Sequence, residues 1–167
     1  MGDKPVLSVF IGQLAVSGGD HALAIHGLGS CVALVLCEPR TGMGGLAHVL
    51  LPGSRPPTDT TTDLPAKYAA SALEALRSGL SGLGAKPALL RAGLVGGAKM
   101  FESEMDLETG VGARNVDSLR SILRDQGIPL AADDTGGRQG RTVIFSLPEC
   151  RLRIRTLRGG WTEKDLR

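Results

Sequence analysis

Short apolar runs and longer helical patterns divide this chain of 167 residues into predicted elements. An apolar run of a few residues that ends at Gly, Pro or Asp indicates a β-strand. The strands predicted in this way span residues 6–11, 22–26, 31–37, 45–51, 89–95, 128–132, 141–147 and 150–157. The run at 31–37 is apolar at every position, which predicts a strand that is buried on both faces.

Two longer segments carry apolar residues at helical spacing. The first segment has them at Ala69, Leu73, Leu76, Leu80 and Leu83. Asp63 is a suitable N-cap for this segment, which predicts a helix over residues 64–83. The second segment predicts a helix over residues 113–126, and Gly127 provides its C-terminal stop.

The connections between these elements are polar or rich in turn residues. Residues 38–42 predict a hairpin that pairs the two flanking strands antiparallel. Polar residues 54–62 predict a mobile surface loop, residues 102–108 an acidic loop and residues 133–137 a turn. Because the strands outnumber the helices and do not alternate strictly with them, the pattern favours the α/β class: a mixed β-sheet sandwich with helices packed on it. We find no internal repeat and no linker, and we expect a single domain over residues 1–167.

The last predicted strand changes the picture of the charge. It places Cys150, Leu152 and Ile154 on one face and Arg151, Arg153 and Arg155 on the other. The formal net charge is only +2, but residues 138–167 carry eight Lys or Arg against three Asp or Glu. Since aromatic residues make up 3% of the chain, little is available to stack on bases, and nucleic acid is not favoured as a partner. The basic segment is either a solvated face or a contact for an acidic protein.

The use of cysteine favours a reducing compartment. Cys31, Cys37 and Cys150 form no Cys-x-x-Cys pair. No signal-like apolar core follows Met1, and no apolar run approaches the roughly 18 residues of a membrane span. We therefore expect a cytoplasmic protein with reduced thiols and without direct membrane insertion.

Metal and dinucleotide sites match the sequence poorly. The first two cysteines and His48 lack the spacing of common zinc ligands. The turn at residues 27–29 does not complete a dinucleotide-binding loop, because Val32 occupies the third glycine position. The aspartate pair at 133–134 suits a turn better than a metal. The sequence predicts no metal and no cofactor.

A glycine-rich turn, Gly27-Leu28-Gly29-Ser30, precedes Cys31 between two predicted strands. Two glycines let the backbone turn where a Cβ would clash, and such a turn can leave consecutive N–H groups unpaired. A thiol beside free N–H donors supplies the nucleophile and the oxyanion site that acyl transfer needs. For this stretch alone, an ordinary buried cysteine in a hairpin is the alternative.

His48 lies 17 residues after Cys31, on the next predicted strand. Antiparallel pairing of the two strands brings the start of the first beside the end of the second, so Cys31 and His48 are expected within hydrogen-bonding reach. A base beside a thiol raises the thiolate fraction and supplies a general acid for the leaving group. For His48 alone, a satisfied buried histidine is the alternative.

Five motifs occur in this order along the chain: GLGSCVAL, AHVLLP, GGAKMF, VGARNV and DTGGRQGR. In these motifs the chain resembles CheD, the chemoreceptor glutamine deamidases of bacterial and archaeal chemotaxis. The resemblance covers most of the chain, from about Ile11 to the strand that contains Arg155.

The resemblance implies that the side-chain amides of selected receptor glutamines are hydrolysed to glutamate, with release of ammonia and without a cofactor. It also implies an α/β sandwich similar to the catalytic domain of the cytotoxic necrotizing factor toxins. Matched by motif, the nucleophilic cysteine is Cys31 and the catalytic histidine is His48. N–H groups around Ser30 and Cys31 are expected to hold the oxyanion.

The chain departs from the family at one position. Family members often carry a threonine six residues before the cysteine, and this chain has Ile25 there. An isoleucine side chain cannot accept a bond from an imidazole, whereas a main-chain carbonyl can. We expect the carbonyl of Ile25, or a neighbouring group, to orient His48. The adjoining His26 is expected to point to the opposite face.

The resemblance also implies partners. The substrate is the side of a long helical chemoreceptor, which requires an exposed docking surface. The candidates are Lys99, Met100, Phe101 and the loop at 54–62, with core packing as the alternative for Met100 and Phe101. Family members are also bound by the phosphatase CheC. Two other functions stay open: a catalytically weak adaptor that binds receptors or CheC, and a hydrolase of receptor glutamyl methyl esters.

Overall fold

The computed structural model describes residues 3–101 and 110–167; the acidic loop predicted at 102–108 lies outside the described residues. The strands are β1 (Val6–Ser8), β2 (Leu14–Ser17), β3 (Ala22–Leu28), β4 (Val32–Glu38), β5 (Met43–Val49), β6 (Arg91–Gly96), β7 (Leu130–Thr135), β8 (Arg141–Ser146), β9 (Arg151–Thr156) and β10 (Gly160–Asp165). The helices are α1 (Ala69–Gly82) and α2 (Val111–Asp125), with a short 3₁₀ turn at Pro87–Leu89.

The strands form two five-stranded sheets with mixed directions. The central sheet has the order β2-β5-β4-β6-β7, and the outer sheet has the order β1-β3-β8-β9-β10. One hydrophobic cluster joins the two helices to the central sheet, and a second cluster joins the central sheet to the outer sheet. The predicted α/β architecture, a mixed sheet sandwich with helices packed on it, is therefore confirmed.

Strand β4 lies in the middle of the central sheet, between β5 and β6. Its side chains alternate between the two clusters: Val32, Leu34 and Leu36 face the helices, while Ala33, Val35 and Cys37 face the outer sheet. All seven residues of the strand are buried. The predicted burial on both faces is confirmed, and so is the antiparallel pairing of β4 with β5.

The first helix begins later than the sequence predicts. It starts at Ala69 after Tyr68, so the prediction of Asp63 as N-cap is wrong. The preceding residues are used elsewhere, because the N–H of Ala66 donates to Gly12 O at 2.8 Å and Leu51 bridges to Tyr68. A turn in which Lys67 N donates to Leu64 O at 3.2 Å completes this segment, so it forms no helix before Ala69.

The loop at 54–62, predicted to be mobile, is fastened to the start of α1. The carboxylate of Asp59 pairs with Lys67 Nζ at 2.6 Å and accepts a hydrogen bond from the Tyr68 hydroxyl at 2.7 Å. The N–H of Thr61 also donates to this carboxylate, at 2.9 Å. These partners lower the pKa of Asp59, and the Lys67 ammonium has the largest effect.

The aspartate pair at 133–134 lies in strand β7, so the prediction of a turn at this point is wrong. Parallel pairing with β6 extends the strand to Thr135, and the turn begins at Gly136. Asp133 pairs with Arg120 at 2.7 Å, and Asp134 pairs with the buried Arg141 at 3.1 Å. Both carboxylates therefore have cationic partners.

The C-terminal strands carry the predicted alternation. Cys150, Leu152 and Ile154 are buried between the sheets, while the three arginines of β9 are exposed. Strand β10 was not predicted; its Trp161 lies against Arg153, with 4.6 Å between the guanidinium carbon and the ring centre. Within residues 3–101 and 110–167, no helix combines the length and the apolar character needed to cross a membrane.

Candidate active site

Cys31 ends the tight turn that joins β3 to β4. Three successive carbonyl oxygens of this turn are hydrogen-bonded: Gly29 O accepts from Ala98 N at 3.0 Å, Ser30 O from the side-chain amide of Asn115 at 3.0 Å, and Cys31 O from Gly97 N at 2.9 Å. The turn therefore rests on the residues after β6 and on helix α2.

Two N–H groups of this turn, unlike its carbonyl oxygens, have no hydrogen-bond partner among the described residues. Among the contacts of the described residues, the N–H groups of Ser30 and Cys31 donate to no acceptor. Most backbone N–H groups in such partly buried positions are paired, so two successive free donors are unusual. They have the arrangement that an oxyanion-binding site needs.

The thiol of Cys31 is held in a mostly apolar environment. The residue is 8% exposed and belongs to the cluster between the two sheets. Burial raises the pKa of the Cys31 thiol, and the residue's own backbone N–H opposes this rise. Burial therefore favours the neutral thiol over the thiolate.

His48 lies on β5 opposite Ala33 of β4. Its ring is buried and its Nδ1–H donates to the carbonyl oxygen of Val9 at 3.3 Å. A carbonyl only accepts, so this bond puts the proton of the neutral ring on Nδ1 and leaves the other ring nitrogen unprotonated, as a base must be. Burial lowers the pKa of His48, and the bond to Val9 opposes this change.

The strand register puts Cys31 and His48 on the same face. Val32 pairs with Val49, so Cys31 lies beside Leu50. His48 precedes Leu50 by two residues and therefore points to the same face of the sheet. Such diagonal neighbours are about 7–8 Å apart between backbone positions, within reach of side chains of this length. No hydrogen bond joins the two side chains within the described part of the chain.

The sequence named the carbonyl of Ile25, or a neighbouring group, as the partner of His48, and the geometry favours the neighbouring group. Successive carbonyls along a strand point to opposite sides. Ala24 O accepts from Val9 N at 2.8 Å, so the carbonyl of Ile25 points the other way, toward Val143 of β8. The orienting carbonyl belongs to Val9, and His26 is exposed, as predicted.

Replacing Ile25 by Thr is expected to leave turnover at or above the wild-type level. The Val9 carbonyl already holds the imidazole, and a threonine hydroxyl adds a second acceptor on the same side. Steady-state turnover of Ile25→Thr, normalised to the folded fraction from thermal melting, checks this expectation. A large fall in turnover with the fold intact would contradict it.

Lys99, Met100 and Phe101 follow β6 and run beside the turn that ends at Cys31. Lys99 N donates to Gly137 O at 2.9 Å, and a Cβ on Gly29 would come 3.1 Å from the Met100 side chain. Met100 is 43% exposed and Phe101 is 68% exposed, so core packing does not account for these two side chains.

The sequence analysis missed three features of the site. The first is the Val9 carbonyl, which has no side-chain signal. The second is the exposed pair Phe10 and Ile11, directly after Val9, which lies outside β1 although a strand was predicted to Ile11. The third is Asn115, a fully buried polar residue on α2, inside the motif VGARNV. A polar residue on the inward face of a helix was the available signal for Asn115.

The alkylation of Cys31 by iodoacetamide is expected to have its midpoint at a higher pH than that of an ordinary cysteine. The thiolate is the form that reacts with iodoacetamide, and burial disfavours it. A higher pH is therefore needed before the thiolate forms. A rate profile against pH, with the modified peptide identified by mass spectrometry, measures the midpoint. Cys37 and Cys150 are fully buried and serve as internal controls. A midpoint below the ordinary range would contradict the expectation.

Comparisons with known proteins agree with one another. The family model described as CheD chemotactic sensory transduction matches residues 50–156. The chemoreceptor glutamine deamidase CheD of Thermotoga maritima is 41% identical over 150 residues, covering 90% of this chain and 91% of that protein. The protein of the same name from Halalkalibacterium halodurans is 39% identical, covering 96% and 98%.

An archaeal relative is similarly close. The probable chemoreceptor glutamine deamidase CheD of Pyrococcus abyssi is 40% identical, covering 92% of this chain and 93% of its own. The family-model match begins two residues after His48, so the interpretation of Cys31 and His48 rests on the geometry of this chain.

Proposed function

Because this chain belongs to the CheD family, we propose that it hydrolyses the side-chain amides of selected glutamines in chemoreceptors, releasing ammonia and leaving glutamate. One observation carries the proposal: a buried thiol adjoins two N–H groups that have no acceptor among residues 3–101 and 110–167, and it shares a sheet face with an oriented imidazole. Nucleophile, oxyanion donors and base are the three components that amide hydrolysis through a thioester needs.

The first half of the reaction forms the thioester. As Cys31 Sγ attacks the carboxamide carbon, its proton passes to the free ring nitrogen of His48. The N–H groups of Ser30 and Cys31 stabilise the negative charge that develops on the amide oxygen. His48 then gives the proton to the departing nitrogen, the C–N bond breaks and ammonia leaves.

The second half regenerates the enzyme. Water attacks the thioester carbon while His48 accepts its proton, and the C–S bond breaks. The proton returns to sulfur, so the products are glutamate, ammonia and a neutral Cys31 thiol. No cofactor takes part in these steps. The Val9 carbonyl keeps the ring in one orientation through both halves, because it accepts from Nδ1–H whether the ring is neutral or protonated.

Docking of the receptor is assigned to exposed apolar side chains beside the site. Met100 and Phe101 follow the residues that bind the Cys31 turn, and Lys99 adds a cation. Phe10 and Ile11 adjoin Val9 and are 72% and 53% exposed. Exposed apolar residues of this kind mark surfaces that contact other proteins.

Replacing Phe10 or Phe101 by Ser is expected to raise the KM for a receptor fragment about 10-fold while kcat stays close to wild type. Each substitution is expected to weaken binding of the substrate and of the transition state equally, because neither phenylalanine ring contacts the reacting atoms. Leu157, which is 91% exposed, gives the matched control Leu157→Ser. Steady-state kinetics at several receptor concentrations separate the two constants. An unchanged KM in both phenylalanine variants would contradict the assignment.

Two alternatives follow from the same residues. The Cys31–His48 pair also suits hydrolysis of receptor glutamyl methyl esters, which releases methanol. A catalytically weak adaptor that binds receptors or a CheC-type phosphatase needs the docking surface alone. We propose the cytoplasm as the site of action, where the helical part of the receptor is presented.

The proposal is tested by measuring ammonia release from a receptor cytoplasmic fragment. The expected result is steady release that stops when the candidate glutamines of the fragment are replaced by glutamate. Methanol from a methylated fragment, without ammonia from the glutamine form, would favour the esterase. Binding without either product would favour the adaptor.

A further inference from the structure

Asn115 is the polar side chain that joins helix α2 to the turn of Cys31. It is fully buried, and its Nδ2 donates to Ser30 O and to Leu50 O, each at 3.0 Å. Two carbonyl oxygens accept hydrogen bonds and do not donate them, so the NH₂ end of the amide must face them. Both amide hydrogens are therefore committed to backbone atoms next to the site.

The bond to Ser30 O fixes one particular peptide plane. The carbonyl of Ser30 and the N–H of Cys31 belong to the same planar trans peptide and point in opposite directions. Holding the oxygen toward α2 directs the N–H of Cys31 away from the helix. This N–H is one of the two free donors described above.

The bond to Leu50 O adds the second half of the link. Leu50 follows His48 by two residues and lies beside Cys31 in the strand register. A single NH₂ group thus ties the nucleophile's turn to the strand that carries the base. The partner Oδ1 of Asn115 is buried and accepts no hydrogen bond among the described residues.

Burying the Oδ1 of Asn115 without a hydrogen bond destabilises the fold. The two bonds that the Asn115 NH₂ group makes keep the side chain in this position despite that cost. We propose that Asn115 is a positioning residue, which orients the Ser30–Cys31 peptide as an oxyanion donor and keeps Cys31 in register with His48. This inference rests on the deamidase function proposed above and adds a residue to it.

The test compares Asn115→Ala and Asn115→Asp with Ser118→Ala. Alanine removes both donors, and aspartate keeps the size but sets an oxygen against two carbonyls. Ser118 lies one turn further along α2, and its Oγ accepts from Gly53 N at 2.8 Å, so its variant loses a comparable bond between helix and loop. Folding of each variant is checked by thermal melting.

Both Asn115 variants are expected to lose about 10²-fold in kcat with KM close to wild type, the size of effect seen when one oxyanion donor is lost. The alkylation of Cys31 is expected to move to higher pH, because the N–H that favours the thiolate is released. Ser118→Ala is expected to change neither quantity. Folded Asn115 variants with wild-type kcat and alkylation would overturn the proposal.

The alkylation profile keeps this inference separate from the proposed function. It needs no receptor, so a wild-type enzyme that releases no ammonia refutes the deamidase while the alkylation midpoint still tests Asn115. If neither Asn115 variant folds, hydrogen exchange of the Asn115 side-chain NH₂ in the wild type tests whether this group bridges Ser30 O and Leu50 O. Protection of both hydrogens supports the bridge, and rapid exchange of both overturns it.

Discussion

Replacing His48 by Gln is expected to lower deamidation by about 10²- to 10⁴-fold, the contribution of a positioned general acid and base. Because burial raises the pKa of the Cys31 thiol, attack on the amide needs a base that accepts the thiol proton. The amide nitrogen is a poor leaving group unless it is protonated, so that it departs as ammonia. Glutamine can still bond to the Val9 carbonyl, but it cannot accept and return a proton at neutral pH.

The effect of His48→Gln is measured as kcat for ammonia release, with thermal melting as the check on folding. His26→Gln is the matched control, because His26 lies on β3 of the outer sheet and is exposed. The control is expected to retain wild-type kcat. A folded His48→Gln enzyme within a few-fold of wild type would remove His48 from the mechanism.

Replacing Gly96 by Ala is expected to damage both the stability and the site. Gly96 ends β6 at φ +110°, and a Cβ there would lie 2.5 Å from Cys31 O and 2.8 Å from the Leu28 side chain. The first clash pushes on the carbonyl that Gly97 N holds, so the Cys31 turn must move. Overpacking of this kind costs about 1–3 kcal/mol beyond the backbone strain itself.

Gly84→Ala is the control that has the backbone strain of a positive φ without a steric clash. Gly84 has φ +100° and nothing lies within 4 Å of a Cβ built on it. Denaturant unfolding of both variants gives the difference in the free energy of unfolding, and alkylation of Cys31 reports on the site. We expect Gly96→Ala to be the less stable variant and to react abnormally at Cys31. Equal stability and normal alkylation in the two variants would contradict the clash.

The parts of the fold that are dictated by apolar periodicity were predictable from the sequence. The run at 31–37 required burial on both faces, and the hairpin at 38–42 required an antiparallel neighbour, which together predicted the shared face of Cys31 and His48. The alternation at 150–157 likewise fixed which residues face the core. In each case a local pattern and the tertiary packing agree.

The parts that depend on distant pairing were not predictable in this way. Strand β2 is four half-buried residues, and β10 is mostly polar and exposed, so each is defined by its partner strand and not by its own composition. The segment before α1 was assigned to the helix because its contacts with Gly12 and Leu51 have no sequence signal.

In the candidate site, too, the residues with a local sequence signal were predictable and the groups placed by distant pairing were not. Cys31 and His48 were found from residue type and spacing, and their catalytic roles stay predictions. The Val9 carbonyl was missed because every residue has one, and the tertiary bonds that bring this one to the imidazole, from Val9 N to Ala24 O and from Gly12 N to His48 O, have no sequence signal. The sequence could not decide between the carbonyl of Ile25 and that of a neighbouring residue, because carbonyl direction depends on strand pairing.

Peptide mapping of a receptor fragment after incubation with the wild type and with Cys31→Ala tests the central claim most directly. The account predicts that specific glutamines gain the mass expected for the exchange of NH₂ for OH, and that these glutamines stay unchanged with Cys31→Ala. Equal conversion by the two proteins, or no conversion by a folded wild type that binds the fragment, would contradict it.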